Sequence, residues 1–386
     1  MTITINNKNK KPNVPNLRFK EFQGEWEKMR LDAFTKRVMR KNKSNQSRLP
    51  LTISAQYGLV DQITFFNKVV ASTDLSNYYL LKKGEFAYNK SYSSDYPWGA
   101  IKRLDNYDQG ALSSLYICFA PQDNVVSDFI LQYFESPKWH KGISEIAVEG
   151  ARNHGLLNVA VQDFFHTYHY VPKDKKEQIK ISKLLMLLDE RIATQNKIID
   201  KLQTLIKGIR HNIFKDIQGE VLALGNIADV YQPQTISSSD LTTDGYWVYG
   251  ANGIIGKYKE YNHETEQICI TCRGNTCGTV NYTQPKVWIT GNSMVINTDK
   301  HQQQVNKRYL FHYLSSYNFN SIVSGSGQPQ IVRTPLEKIK VTLPSIEKQV
   351  QIAHGIDLIL TKIETECTVL GFLESQKQYL LRQMFI

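Results

Sequence analysis

The chain has 386 residues, 41% hydrophobic and 22% charged, with a formal net charge of +11 and a pI near 9.2. That length allows two or three domains, each able to bury its own core, and the composition is that of an ordinary globular protein and not of a fibrous or disordered chain. The excess of base favours an anionic partner, nucleic acid before membrane, and no run approaches the ~18 consecutive apolar residues of a membrane span.

Residues 1–13 are polar, carry several lysines and lack the apolar stretch of a signal peptide, so they read as a disordered tail on a cytoplasmic protein. A first globular domain is expected over 14–171. Trp26 to Val38 is amphipathic and opens it with a short strand or helical turn. Short β-rich runs follow between turn signals, among them Leu51-Thr-Ile-Ser, Phe86-Ala-Tyr and Leu115-Tyr-Ile-Cys-Phe, and Asp128 to Glu135 reads as helix continuing towards Ile146.

Two polar stretches of this domain carry candidate chemistry. Tyr88 to Arg103 threads basic and aromatic residues through Ser and Gly. Such a loop can set Lys90, Lys102 and Arg103 on phosphates and Tyr92 or Trp98 against bases or sugars; the plain alternative is a hairpin that touches only water. Further on, Glu149-Gly-Ala-Arg-Asn-His-Gly offers Arg152, Asn153 and His154 as donors, although a lone histidine is more often structural.

At Val171-Pro172 the pattern turns helical and stays so over 172–216. Leu185, Ile192, Ile199, Ile206 and Ile213 recur every seven residues, with Ile181, Leu188, Leu202 and Ile209 between them. This is an a/d seam held for about four heptads, with Pro at the entry, where a missing N–H costs nothing. At about 1.5 Å per residue, some 38 residues make a rod of roughly 57 Å.

A second domain is expected over 217–343. Val221 to Val230 answers the Trp26 opening, with Leu224 in the place of Leu31. Trp247-Val-Tyr, Gln267-Ile-Cys-Ile, Lys286-Val-Trp-Ile, Met294-Val-Ile-Asn and Ile339 to Leu343 read as strands, and Lys307 to Tyr317 as helix. Its polar stretches stand at matching places. Arg273, Asn275, Thr276, Asn281 and Tyr282 follow a strand, and Arg and Asn are the side chains that read guanine and adenine edges bidentately. Gln328, Gln330 and Arg333 stand in Ser324-Gly-Ser-Gly-Gln-Pro-Gln-Ile-Val-Arg; the glutamines could equally bond their own loop.

The helical unit then returns over 344–386, introduced by Leu343-Pro344. A shift of about 171 residues lays Gln178, Ile181, Leu187, Ile192, Thr194, Leu202 and Phe214 on Gln349, Ile352, Leu358, Ile363, Thr365, Leu373 and Phe385. The chain is therefore a duplicated unit of domain plus long helix. The expected fold is α+β: two similar domains separated by two long helices packed as an antiparallel coiled coil, with a pseudo-twofold internal repeat. The seam comprises Leu185, Leu188, Ile192, Gln195, Ile199, Leu202 and Ile206 against Ile356, Ile359, Ile363, Glu366, Leu370 and Leu373. In that arrangement Gln195 meets Glu366 and sets the register. Lys377 interrupts the second seam and is expected to mark a point where the pair splays.

Hard chemistry is not legible. The chain lacks Pro-Pro and so the Asn/Asp-Pro-Pro-aromatic motif of amino-group methyltransferases, and it lacks a dinucleotide turn, a P-loop, a Pro-Asp nuclease seed and a Gly-x-Ser-x-Gly elbow. Five cysteines do not make a disulfide framework. His263, Cys269, Cys272 and Cys277 have only half of a zinc spacing, so no metal is assigned. The chain reads as one that binds and does not react.

Two variable domains, each followed by a similar helix that opens on hydrophobic-Pro and a Lys/Glu-Gln run (Lys176-Glu-Gln, Glu347-Lys-Gln), resemble the specificity subunit of type I restriction-modification systems. The likeness runs from Val14 nearly to the end and also rests on the Trp26 to Phe34 opening and on Ser324-Gly-Ser-Gly-Gln. It implies that each domain is a target-recognition domain reading one half of a bipartite gapped site in double-stranded DNA. It implies that the helices set the spacing and dock two methyltransferase subunits. S-adenosylmethionine, ATP and Mg are then expected on partner methyltransferase and restriction-translocase subunits, with no cofactor on this chain. A stand-alone methyltransferase or nuclease with degenerate motifs, or a coiled-coil scaffold binding only protein, are the alternatives.

Overall fold

A computed structural model describes residues 3–5, 13–68, 70–147, 155–251, 253–325 and 327–386. The chain divides into two units, Met1–Thr194 with Val369–Ile386, and Gln195–Thr368. The division falls inside both long helices, Lys175–Asp216 and Ile346–Gln383.

In the first unit the opening read at Trp26 is a strand, Glu27–Arg30, paired antiparallel with Tyr168–Val171. Entry and exit of the domain are thus bonded together, and the N–H of fully buried Leu31 extends the tie to the Thr167 carbonyl at 2.9 Å. The main sheet is antiparallel in the order Thr35–Arg37, Ile117–Pro121, Phe86–Asn89, Ala100–Arg103. Successive side chains of a strand point to opposite faces. Phe86 and Tyr88 accordingly enter one core with Phe119, Phe129 and Phe164, while Ala87 and Cys118 enter another with Leu51, Leu81 and Leu112. Burial on both faces explains why Phe86-Ala-Tyr is apolar without alternation. The second core lies against a second four-stranded sheet, ordered Gly58–Asp61, Pro50–Ser54, Gln109–Leu112, Tyr79–Lys82.

The second unit repeats this topology with different residues. Glu220–Ala223 pairs with Lys340–Leu343, and the Leu224 N–H donates to the Ile339 carbonyl at 2.8 Å, as Leu31 does to Thr167. The main sheet runs Asp229–Tyr231, Ser293–Asn297, Ile268–Thr271, Val280–Tyr282. Ile268, Ile270, Met294 and Ile296 face one core, and Cys269 and Val295 face another with Tyr249, Val287 and Ile289. In the small sheet Tyr246–Gly250 lies between Gly253–Tyr258 and the short strand Trp288–Ile289. Trp288–Ile289 runs parallel to Tyr246–Gly250, just as Gln109–Leu112 runs parallel to Pro50–Ser54.

Each unit holds parts of both long helices, and in each they pack antiparallel. Leu185 and Leu188 near the first helix's start share the first unit's core with Leu380, Leu381, Met384 and Phe385 at the second helix's end. Phe214, near the first helix's end, joins the second unit's core beside Ala353, Ile352 and Leu360. The seam residues from Leu185 to Ile206 and from Ile356 to Leu373 are all buried or half-buried. Gln195 does meet Glu366, donating through Nε2 to its backbone carbonyl at 3.0 Å and to its carboxylate. Lys377 marks no splay: it is mostly buried and its Nζ pairs with Asp189 at 2.5 Å, so the cation in the seam is neutralised across the helix pair.

A second correction concerns the tail. Ile3–Ile5, inside the stretch 1–13 expected as a disordered tail, forms a strand antiparallel to Leu17–Phe19, and its Ile-Thr-Ile run is β-favouring.

The repeated glutamine at each helix entry proves to be a clamp. Gln178 accepts from the Val126 N–H at 2.7 Å and donates to the Pro172 carbonyl at 2.8 Å. Gln349 accepts from the Asn306 N–H at 2.8 Å and donates to the Pro344 and Gln304 carbonyls, each at 3.0 Å. Val126 and Asn306 cap the equivalent domain helices, Ser127–Glu135 and Lys307–Ser316, so one side chain fixes each domain to its long helix. Gln349→Ala leaves the half-buried Asn306 N–H without its acceptor, a loss of about 1 kcal/mol, and is expected to lower the thermal midpoint of unfolding.

Three buried histidines predict acid sensitivity. Burial pushes His169 down to about 3, and His263 and His312 down to about 4, from an ordinary value of 6.5. Each is neutral when folded but takes up a proton near pH 6.5 once unfolded. Their contribution to stability is therefore present above about pH 6.5 and is lost as pH falls towards 4. Thermal midpoints measured from pH 7 to pH 4 should decline across that window, and less steeply in a His169→Gln variant.

Candidate nucleic-acid interface

The strand Phe86–Asn89 ends at Lys90, and the chain returns to the sheet at Ala100. The return is tight. Gly99 has φ +77°, and a Cβ there would stand 2.2 Å from the Asn89 carbonyl oxygen, so the position admits only glycine. Tyr88, fully buried, donates its hydroxyl to the Trp98 carbonyl at 2.9 Å and closes the loop from beneath.

This loop is bonded to the segment before the domain's last helix and strand. The Leu157 N–H donates to the Lys90 carbonyl at 2.9 Å and the Tyr92 N–H to the Gly155 carbonyl at 2.8 Å, so that Ser91 faces Leu156 in an isolated antiparallel bridge. In the second unit the Ile331 N–H donates to the Cys272 carbonyl at 3.0 Å and the Gly274 N–H to the Pro329 carbonyl at 2.9 Å, and Arg273 faces Gln330. The two polar stretches that the sequence shows some fifty residues apart are thus joined in each unit, by the same bonds at equivalent positions.

Beside each bridge the surface is hollowed. In the second unit a cavity of about 350 Å³ is lined by Tyr231, Gln232, Cys272, Arg273, Gln330 and Arg333, with Met294 and Ile331 at its apolar side. In the first, a cavity of about 190 Å³ is lined by Lys90, Arg37, Leu115, Tyr116 and Ile117 among others. Lys90 occupies the place of Cys272, and Ile117 that of Met294.

The candidates sort as follows. Arg273, Asn275, Thr276, Gln328, Gln330 and Arg333 are exposed, and Tyr92 is 53% exposed. Lys90 is half-buried at its cavity, and Trp98 packs against the first unit's core. Thr276 Oγ1 donates to the Ala251 carbonyl at 3.4 Å, and Arg333 pairs with Glu337 at 2.7 Å. Lys102 and Arg103, read as phosphate contacts, are engaged otherwise. Lys102 pairs with Glu135 at 2.7 Å, and Arg103 pairs with Asp105 and Asp128, each at 2.7 Å. Both side chains are mostly buried, and they tie the sheet to the helix Ser127–Glu135. Tyr282 is also structural: Arg308 stacks over its ring at 4.3 Å, and Phe311 meets it edge-on at 5.3 Å. Asn281 is half-buried, and its Nδ2 has no acceptor among the described residues. Arg152, Asn153 and His154 lie outside the described residues.

Tyr231 and Gln232 also line the second unit's cavity, and the only sequence signal for them is the polar Gln-Pro-Gln that follows a strand. His263 is committed elsewhere, to the Tyr231 hydroxyl at 2.8 Å and the Asn262 side chain at 2.6 Å. Burial pushes the Cys269 thiol up to about 12. Among the described residues no cluster of three or more His, Cys, Asp or Glu is placed to hold a metal.

Two domains of one topology, with equivalent bridged loops filled by different side chains, define an internal duplication. Residues 218–371 match the family model described as type I restriction modification DNA specificity domain. The chain is 30% identical over 147 residues to the EcoprrI type I restriction enzyme specificity subunit of Escherichia coli, a match covering 37% of this chain and 36% of that protein. Two solved structures share the fold over nearly the whole length. The type I restriction-modification S subunit of M. genitalium is 17% identical with a TM-score of 0.61, over 97% of this chain and 99% of that one. A chain from a structure described as concerning complex assembly and conformational transition of the type I R-M system is 14% identical with a TM-score of 0.58, over 93% and 97%. No described helix is long and apolar enough to cross a membrane.

Proposed function

We propose that this chain is the DNA-reading, non-catalytic subunit of a type I restriction-modification assembly, each unit reading one half of a bipartite gapped site through its bridged loops. The observation that carries this is the pairing of one topology with two chemistries: the same hydrogen bonds present Arg273 and Gln330 in one unit and Ser91 and Leu156 in the other. Shared scaffold with divergent loop tips is what two readers of two different half-sites require.

In this reading the long helices hold the half-sites at a fixed separation and dock two methyltransferase subunits. S-adenosylmethionine belongs to those subunits, and ATP and Mg to restriction-translocase subunits. The chain's own residues position and read DNA. The test is retention of a randomised duplex library by the full chain assembled with its methyltransferase partner. Enrichment of one gapped two-part sequence is expected. Enrichment of an ungapped single motif would remove the two-reader account.

A further inference from the structure

At the bridged pair the two loops share their backbone hydrogen bonds while their exposed side chains differ. Residues directly opposed in an antiparallel bridge put their side chains on the same face. Arg273 and Gln330 are so opposed, are both exposed, and line the same cavity of about 350 Å³. Their neighbour Arg333 is held by Glu337, whereas Arg273 has no carboxylate at ion-pair distance among the described residues. Gly274, at φ +85° with open space around it, lets the chain turn immediately after Arg273. At the equivalent bridge of the first unit stand Ser91, with one short hydroxyl, and Leu156, 49% exposed and apolar.

We propose that this bridge is the specificity-determining position of each unit, and that it reads differently in the two. In the second unit the guanidinium fork of Arg273 matches the two acceptors of guanine, and the Gln330 amide matches the donor and acceptor of an adjacent adenine. In the first unit Leu156 offers only apolar contact, suited to a thymine methyl, and Ser91 discriminates little. The inference rests on the DNA-reading function proposed above and assigns one base-pair step of each half-site to named residues.

The test compares sequence selection from a randomised duplex library by the assembled complex carrying the unsubstituted chain, Arg273→Ala, Gln330→Ala, or the double exchange Ser91→Arg with Leu156→Gln. Arg273→Ala should relax a guanine preference at one base pair of one half by about 5- to 150-fold, leaving the other half unchanged. Gln330→Ala should relax the neighbouring pair. The exchange should create a guanine preference in the other half. Uniform weakening on all sequences, with the salt slope lower by about one, would make Arg273 a phosphate contact and overturn the assignment. So would an unaltered motif in both alanine variants. If the unsubstituted chain selects no gapped motif at all, the proposed function itself falls, and this inference with it.

Discussion

Glu177→Ala should lower the stability of the first unit by about 3–5 kcal/mol, the usual loss when one partner of a buried ion pair is removed. Glu177 is 2% exposed and accepts from Arg18 through both carboxylate oxygens, at 2.7 and 2.8 Å, and from the Trp26 indole N–H at 3.2 Å. Arg18 is itself buried and donates onward to the Gly24 carbonyl at 2.6 Å. Removing the carboxylate strands a guanidinium away from water and leaves the indole without an acceptor. The equivalent position in the second helix is Lys348, which is exposed; Lys348→Ala should change stability by no more than ~0.5 kcal/mol. Urea denaturation of the two variants measures the contrast. Equal midpoints would mean that the Arg18–Glu177 pair does not lock the first helix to its domain.

Phe385→Ala carries the second large effect, about 3–5 kcal/mol for an aromatic side chain removed from a packed core. Phe385 is 1% exposed and lies among Trp26, Phe129 and Tyr133, with ring centroids 6.4, 5.5 and 5.7 Å away. It follows the second long helix, Ile346–Gln383, so its burial fixes that helix's end in the first unit's core. Its repeat partner Phe214 is only half-buried, against Tyr309 at 5.5 Å and Tyr313 at 5.2 Å. Phe214→Ala should therefore cost less than Phe385→Ala. Thermal unfolding of the pair checks the order, and a silent Phe385→Ala would contradict the antiparallel packing in the first unit.

The long helices and their antiparallel sense were legible because a heptad pattern states which face is buried, and because two polar residues at one register position, Gln195 and Glu366, had to find each other. The duplication of the domains was legible from their ends. Leu31 and Leu224 occupy the same hydrogen-bonded corner. The joining of the two polar stretches in each unit was not legible, since it consists of backbone hydrogen bonds that any residues can make. Nor were the partners of Lys102 and Arg103: Glu135 and Asp128 stand 33 and 25 residues away, beyond any local charge pattern. Lys377 shows the same limit. A cation in an apolar seam reads as a fault until Asp189 appears opposite it.

The most direct test of the central claim, that this chain supplies DNA sequence specificity to a methyltransferase, is genome-wide mapping of methyladenine in cells expressing the methyltransferase partner with and without it. The account predicts methyladenine at one gapped bipartite sequence only when the chain is present. The same methylation in its absence would contradict the account, because the partner would then read DNA by itself.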